Sequence, residues 1–98
     1  MHHTYILECA DKTLYVGYTN DLERRIDQHN SGKRAARYTR ARRPVMLLYF
    51  ESFTTLRAAL RRERSIKSLS RKKKLELINS AAYSAGQLHV KLIAPRIR

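Results

Sequence analysis

The stretch that decides the fold is "LYVGYT", residues 14–19, because it has the composition of a β-strand and yet contains a glycine. Tyrosine, valine and threonine favour strands, whereas glycine weakens a strand interior unless a bulge or a closely approaching group requires it. We therefore expect Gly17 to leave room beside Tyr15 for another segment of backbone or for a ligand.

A second β-rich run, "HTYILEC" at residues 3–9, precedes this stretch. The segment between the two runs, "ADKT" at residues 10–13, has the length and polarity of a hairpin turn. The two runs are therefore predicted to pair as antiparallel strands.

Helical signals begin directly after the hairpin. Asn20 followed by Glu23 resembles a capping box. Side chains suited to a buried stripe then recur at helical spacing until Gly32, and they are Leu22, Ile26 and His29. The basic segment 33–43 lacks this periodicity and is expected to be a loop.

The second half of the chain predicts one more strand and two helices. The apolar run "PVMLLYFES", residues 44–52, is typical of a buried central strand. Thr54 or Thr55 then caps a helix, and Ser70 begins another. Their apolar residues are Leu56, Ala59, Leu60, Ile66 and Leu69 in the first helix and Leu75, Leu77 and Ile78 in the second.

The predicted element order is β-β-α-β-α-α, which gives an α+β fold with a small three-stranded antiparallel sheet flanked by helices. We expect residues 1–82 to form one domain. Residues 83–98 are expected to form a C-terminal tail, either flexible or an edge strand, since "QLHVKLI" at 87–93 alternates in polarity.

Charge is the strongest signal in the composition, with 21 Lys and Arg against 8 Asp and Glu and a net charge of +13. The excess is concentrated in two segments, "KRAARYTRARR" at 33–43 and "RRERSIKSLSRKKK" at 61–74. Basic clusters of this density bind polyanions by neutralising phosphates and releasing counterions. We predict nucleic acid as the partner, and the alternative is a surface that promotes solubility or contacts an anionic membrane.

Other features of the composition exclude several classes of protein. The single cysteine, Cys9, rules out an intramolecular disulfide, and the sequence does not group the roughly four ligands that a structural zinc site needs. No apolar run approaches the ~18 residues of a membrane span, and no signal-peptide pattern follows Met1. We expect a reduced, cytoplasmic protein with no membrane partner.

Glu63 and His29 break the patterns of their predicted helices. The spacing of Glu63 puts it on the face of Leu56 and Leu60, which is predicted to pack inward. A buried carboxylate needs a cation there, either a metal ion or an arginine such as Arg25. His29 lies four residues after Arg25 and continues an apolar stripe, so it is either a core histidine or a catalytic one.

Two short motifs on the predicted hairpin resemble the GIY-YIG nuclease domain. "TYI" at 4–6 and "YVG" at 15–17 place Tyr5 and Tyr15 ten residues apart. The residues before Tyr5 are His and Thr where the named pattern has Gly and Ile, so the first motif retains only its tyrosine. Each tyrosine taken alone would fit ordinary strand propensity and core packing.

Three further positions extend the resemblance. Arg25, His29 and Glu63 fall where the family carries its helix arginine, its histidine or tyrosine, and its metal-binding glutamate. The sequence over about residues 3–79 is similar to the small stand-alone branch known as UPF0213.

The resemblance implies a metal-dependent endonuclease that hydrolyses phosphodiester bonds in nucleic acid, DNA in preference to RNA, with little intrinsic sequence specificity. It implies that Glu63 holds Mg²⁺ or Mn²⁺, hard cations that prefer oxygen ligands. Tyr5 would act as general base on the attacking water, and Tyr15 would donate a hydrogen bond to a phosphate oxygen. Arg25 would supply positive charge near Tyr5 or stabilise the pentacovalent phosphate, and His29 would relay a proton or orient Tyr5.

Further residues are expected to contact nucleic acid, namely Gly17, Lys33, Arg34, Arg37, Tyr38, Arg40, Arg42, Arg43, Arg71, Lys72 and Lys73. Tyr38 and Asn79 either fall where some relatives carry additional active-site residues or are surface residues. Two other functions stay open: a binding module that has lost cleavage, and a subunit that depends on a partner protein for specificity. We expect a monomer or a weak dimer.

Overall fold

The computed structural model describes residues 1–32, 36–83 and 90–91. Strands β1 (His2–Glu8), β2 (Leu14–Thr19) and β3 (Met46–Phe53) form an antiparallel sheet with β1 in the middle. The predicted three-stranded sheet is therefore confirmed. A two-residue strand, β4 (Val90–Lys91), pairs with the outer edge of β3, and the rest of the predicted tail strand lies outside the described residues.

The described part of the chain also contains helices α1 (Leu22–Ser31), α2 (Arg37–Arg40), α3 (Leu56–Lys67) and α4 (Arg71–Tyr83). Thr55 caps α3, because its Oγ1 accepts the Ala58 N–H at 3.1 Å. The cap of α1 is Asp21, whose Oδ1 accepts the Arg24 N–H at 3.2 Å, so the predicted cap at Asn20 was one residue early.

The segment 33–43, predicted to be a loop, contains the short helix α2. Local periodicity could not reveal a helix of four residues, because a single turn repeats no position of its own stripe. Lys33 and Arg34, two of the predicted nucleic-acid contacts, lie outside the described residues.

Each face of the sheet carries its own apolar cluster. The face covered by α1 buries Tyr5, Leu7, Cys9, Val45 and Leu47, with Leu22 and Ile26 packed against them. The opposite face, covered by α3 and α4, buries Ile6, Val16, Leu48, Tyr49, Ile66 and Ile78. The predicted arrangement of helices around an antiparallel sheet is confirmed. Tyr5 and Tyr15 of the hairpin lie on the α1 side of the sheet.

The inward face of α3 differs from the prediction. Leu56 and Leu60 are 44% and 38% exposed, whereas Ala59 and Ile66 are fully buried. The small Ala59 lets the helix backbone approach β1 so closely that the Thr4 hydroxyl donates to the Ala59 carbonyl at 2.7 Å. The prediction followed the large side chains of Leu56 and Leu60, whereas the helix buries the face that contains the small Ala59.

An ion pair allows the third member of the buried stripe to be an arginine. Arg62 lies between Ala59 and Ile66 at helical spacing, and its guanidinium contacts the Glu51 carboxylate of β3 at 2.9 Å. Glu51 is only 8% exposed and also accepts a hydrogen bond from the Tyr49 hydroxyl. The buried charge is therefore satisfied by two partners on the same sheet face.

Candidate active site

The glycine in "LYVGYT" makes room for a tyrosine of the neighbouring strand. Gly17 lies directly opposite Tyr5 in the β1–β2 register. A Cβ atom at Gly17 would lie 2.5 Å from the Tyr5 hydroxyl oxygen and 2.6 Å from its Cζ atom. The space expected for backbone or a ligand is therefore filled by the Tyr5 phenol, and Gly17 is buried against that ring.

The Tyr5 hydroxyl begins a buried chain of hydrogen bonds. It lies 2.9 Å from Nε2 of His29, and Nδ1 of the same ring lies 2.7 Å from the Thr39 hydroxyl. The exposed fractions are 1% for Tyr5 and 0% for both His29 and Thr39. Three elements, β1, α1 and α2, thus meet in one polar contact that is closed to bulk water.

Aromatic rings extend this contact toward the surface. The half-buried Tyr15 ring lies 5.3 Å from the His29 ring and 6.5 Å from the Tyr5 ring, measured between centroids. Tyr38 stacks on Tyr15 at 6.1 Å with an angle of 26° between the rings. The Arg42 guanidinium lies 3.9 Å from the centre of the Tyr38 ring, in a cation–π contact.

Burial holds both members of the Tyr5–His29 pair in their neutral forms. Desolvation, followed by the nearby charges of Arg25 and Arg43, lowers the pKa of His29 to about 4. Desolvation also raises the pKa of Tyr5 to about 12, although a hydrogen bond from Arg25 opposes that rise. At pH 7 the phenol therefore keeps its proton, and the imidazole has a lone pair available to accept one.

Arg25 and Glu63 both act electrostatically on Tyr5, and Arg25 also forms a hydrogen bond with it. The positive charge of Arg25 lowers the pKa of Tyr5, whereas the negative charge of Glu63 raises it. Arg25 also donates to the Gln28 side chain at 2.8 Å. Glu63 is 20% exposed at its side chain and forms an ion pair with Lys67, one helical turn later, at 3.3 Å. Of the five predicted catalytic residues, Tyr5, Tyr15 and His29 are therefore neighbours, Arg25 forms a hydrogen bond with Tyr5, and Glu63 acts on Tyr5 through its charge.

Two of the predicted nucleic-acid contacts have hydrogen-bond partners within the protein. The Arg43 guanidinium donates to the carbonyls of His29 and Gly32 at 2.6 and 2.7 Å, so it satisfies the C-terminal end of α1. Arg42 donates to the Asp11 carboxylate at 3.1 Å and to the Tyr38 carbonyl at 2.8 Å. Arg42 is therefore held at the hairpin turn, at the outer end of the aromatic stack.

The two basic segments meet at that turn. Arg71, the first residue of α4, donates to the Lys12 carbonyl at 2.9 Å, while Arg42 reaches Asp11 beside it. Lys12 is exposed and adds a positive charge between them. Other cations predicted to bind nucleic acid are exposed on the adjoining helices, Arg37 and Arg40 on α2 and Lys72 and Lys73 on α4. Asn79 is also exposed on α4.

The sequence did not predict the buried hydrogen bonds of two polar residues, Thr39 and Glu51. Thr39 sits in a segment without periodicity, and nothing local distinguishes it from a surface threonine. Glu51 offered a signal, since it is the acid within a strand that is otherwise apolar or uncharged and lies two residues after Tyr49, on the same face.

Comparison with known proteins identifies the family of this chain. The model of the GIY-YIG catalytic domain matches residues 1–76. The chain belongs to the GIY-YIG family. This is a nuclease family, and the matched range includes the five residues predicted to be catalytic.

Relatives named as UPF0213 proteins support the same assignment. One from Haloquadratum walsbyi is 55% identical over 76 residues, which cover 78% of this chain and 84% of the relative. One from Bacillus pumilus is 58% identical over 73 residues, 74% of each chain. The solution structure of a UPF0213 protein from Bacillus halodurans shares 47% identity and a TM-score of 0.53, covering 80% of this chain and 82% of that one.

Within the described residues, no helix is both long and apolar enough to cross a bilayer.

Proposed function

We propose that this member of the family is a divalent-metal-dependent endonuclease that hydrolyses phosphodiester bonds, with DNA as the preferred nucleic acid. The observation that carries the proposal is the 2.9 Å contact between the Tyr5 hydroxyl and Nε2 of His29. A phenylalanine ring would fill most of the space at Gly17, whereas the hydroxyl of Tyr5 needs a polar partner once it is buried, and His29 is that partner. A phenol beside a neutral imidazole suits proton transfer.

The pair provides a route for the proton of the attacking water. Water gives a proton to the Tyr5 oxygen while Tyr5 passes its own proton to Nε2 of His29. The resulting hydroxide adds to phosphorus, the P–O bond to the leaving oxygen breaks, and that oxygen takes a proton from solvent. His29 then returns its proton through Tyr5 to solvent, which restores both neutral side chains. The concerted transfer is needed because a phenol with a pKa of about 12 does not ionise at neutral pH.

Arg25 connects substrate binding to this route. The Tyr5 hydroxyl is closed to solvent, and the Arg25 side chain is one of the groups that interact with it. A phosphate attracts a guanidinium strongly and accepts two of its N–H groups at once. Binding of a scissile phosphate would draw Arg25 from Tyr5, admit water to the hydroxyl and leave the arginine on the developing charge.

Glu63 fits the requirements for holding Mg²⁺ or Mn²⁺. Its carboxylate is partly exposed and acts electrostatically on Tyr5, and its partner Lys67 is itself exposed enough to be displaced by a cation. No three His, Cys, Asp or Glu side chains cluster among the described residues. That sparse ligand set suits Mg²⁺, which usually keeps several waters and binds through one or two carboxylates and substrate phosphates. When bound, the ion would supply Lewis-acid polarisation of the phosphate.

The basic surface around the hairpin turn supports nucleic acid as the substrate. Its cations come from both basic segments and from Lys12, and they continue outward from the Tyr15–Tyr38 stack. Long basic side chains of this kind contact phosphates, which fix position but carry no sequence information. We therefore propose low sequence specificity, with any further selectivity supplied by a partner protein. Residues 1–82 would be the catalytic domain, acting in the cytoplasm as a monomer or weak dimer.

The test is a cleavage assay with the wild type and Glu63→Gln on labelled single-stranded, duplex, flap and branched DNA and on RNA. Each reaction contains Mg²⁺, Mn²⁺ or EDTA, and Glu76→Gln, an exposed acid on α4, is the matched control. We expect metal-dependent cutting that Glu63→Gln loses and Glu76→Gln keeps. Equal cutting by Glu63→Gln would refute the metal role. Salt-sensitive binding without any cutting by the wild type would instead favour a binding module.

A further inference from the structure

Both ring nitrogens of His29 have hydrogen-bond partners, the Tyr5 hydroxyl at Nε2 and the Thr39 hydroxyl at Nδ1. A threonine hydroxyl has one hydrogen to donate. The Thr39 hydroxyl donates it to the Ala36 carbonyl at 3.1 Å. While it donates there, its oxygen can only accept a hydrogen from Nδ1 of His29, 2.7 Å away. A neutral imidazole with its proton on Nδ1 has its lone pair on Nε2, the atom that faces Tyr5.

We propose that Thr39 is a positioning residue that holds His29 in the Nδ1–H tautomer, so that Nε2 is the acceptor for the Tyr5 proton. This inference rests on the proposed function, in which His29 takes that proton. Neutral histidine has two tautomers, and the one present is set by the hydrogen bond that the other nitrogen makes. Thr39 itself does not touch the reacting atoms.

The opposite tautomer would disturb both hydrogen bonds of the His29 ring, the one to Tyr5 and the one to Thr39. With the proton on Nε2, two hydrogens would face each other between His29 and Tyr5, unless the phenol turned its proton away. At the other end, Thr39 would have to donate to Nδ1 and give up the Ala36 carbonyl. All three side chains are at most 1% exposed, so water is not available to replace a lost partner.

The short helix α2 is what brings Thr39 to this position. Its backbone is closed by the Arg40 N–H to the Ala36 carbonyl at 3.0 Å, and that carbonyl accepts the Thr39 hydroxyl through its second lone pair. Thr39 is fully buried while Arg37 and Arg40 on the same turn are exposed. One turn of helix therefore presents cations outward and the positioning hydroxyl inward.

The experiment is a long-range ¹H–¹⁵N NMR spectrum of the full chain, which distinguishes a protonated from an unprotonated nitrogen in the His29 ring. The wild type is expected to carry the proton on Nδ1. Thr39→Val keeps the shape but removes the hydroxyl, and we expect the Nδ1–H signature to weaken or shift to Nε2–H. Thr39→Ser keeps the hydroxyl and should restore the wild-type spectrum. Cleavage should fall by roughly tenfold or more in Thr39→Val and recover in Thr39→Ser, as expected when a catalytic histidine is held in the wrong tautomer.

Thr4→Val is the matched control, because Thr4 is also 0% exposed and its hydroxyl also donates to a backbone carbonyl, that of Ala59 on the opposite face of the sheet. It should lose stability without changing the His29 tautomer. An Nε2–H wild type would overturn the inference even if Thr39→Val failed to fold. So would an unchanged tautomer or full cleavage in Thr39→Val. A wild type that cuts nothing would count against the proposed function, while the spectra would still decide the role of Thr39.

Discussion

Replacing Gly17 by alanine adds one methyl group at the most crowded point of the hairpin. That group would lie 2.5 and 2.6 Å from two atoms of Tyr5 and 3.1 Å from Cε2 of Tyr15. The backbone of Gly17 does not have a positive φ, so an alanine can adopt its conformation. The effect of the substitution therefore comes from side-chain crowding, and its sign can be predicted.

Two contributions of opposite sign determine the change in the free energy of unfolding. Reducing the flexibility of the unfolded chain would stabilise Gly17→Ala by about 0.4–1 kcal/mol. Overpacking a filled site costs about 1–3 kcal/mol, and separating Tyr5 from His29 costs about 1 kcal/mol more. We expect a net destabilisation of about 1–3 kcal/mol, which lowers the melting temperature of a chain of this size by roughly 5–20 °C.

Urea unfolding of Gly17→Ala, alone and combined with Tyr5→Ala, measures the energetic coupling between the residue at position 17 and the Tyr5 side chain. Without the Tyr5 ring the added methyl group meets no obstacle, so Gly17→Ala should be neutral or slightly stabilising in the Tyr5→Ala background. A single Gly17→Ala variant as stable as the wild type would refute the packing of Tyr5 against Gly17. Equal destabilisation in both backgrounds would refute it as well.

Three further predictions concern charge. The pKa of His29 is about 4 in the folded state and about 6.5 in the unfolded state, so the unfolded state binds the proton first as the pH falls. Lowering the pH from 7 to 4 should therefore reduce the free energy of unfolding of the wild type by about 3 kcal/mol more than that of His29→Gln, measured by urea unfolding at each pH. Equal losses in the two proteins would contradict the buried neutral imidazole. Arg62→Ala should destabilise by about 2–3 kcal/mol in the same assay, because it leaves the buried Glu51 without its cation, whereas the exposed Arg57→Ala should change little. Lys73→Ala should weaken binding to all duplex sequences alike and reduce the salt slope by about 0.9, and a loss confined to one sequence would argue against backbone contacts.

The sequence predicted what depends on local pattern. The β-rich composition of 3–9 and 14–19 and the short polar turn between them predict the hairpin, and the observed register of that hairpin places Tyr5 opposite Gly17. The spacing of Arg25 and His29 on one helix likewise follows from helical geometry.

Contacts that join distant segments could not be predicted in this way. Arg62 looks like a surface residue until Glu51, eleven positions earlier, is known to lie beneath it. Thr39 becomes informative only when the fold brings α2 against His29. In both cases the decisive quantity is the burial of a polar group together with its partner, and this depends on tertiary packing.

The most direct test of the account is the cleavage rate of Tyr5→Phe compared with the wild type on the best substrate found. The substitution keeps the ring that fills the space at Gly17 and removes only the hydroxyl that contacts His29. We predict a loss of at least about a hundredfold in cleavage rate, the usual contribution of a positioned acid or base, with nucleic-acid binding retained. Cleavage by Tyr5→Phe at the wild-type rate would contradict the assignment of the Tyr5–His29 pair as the catalytic centre.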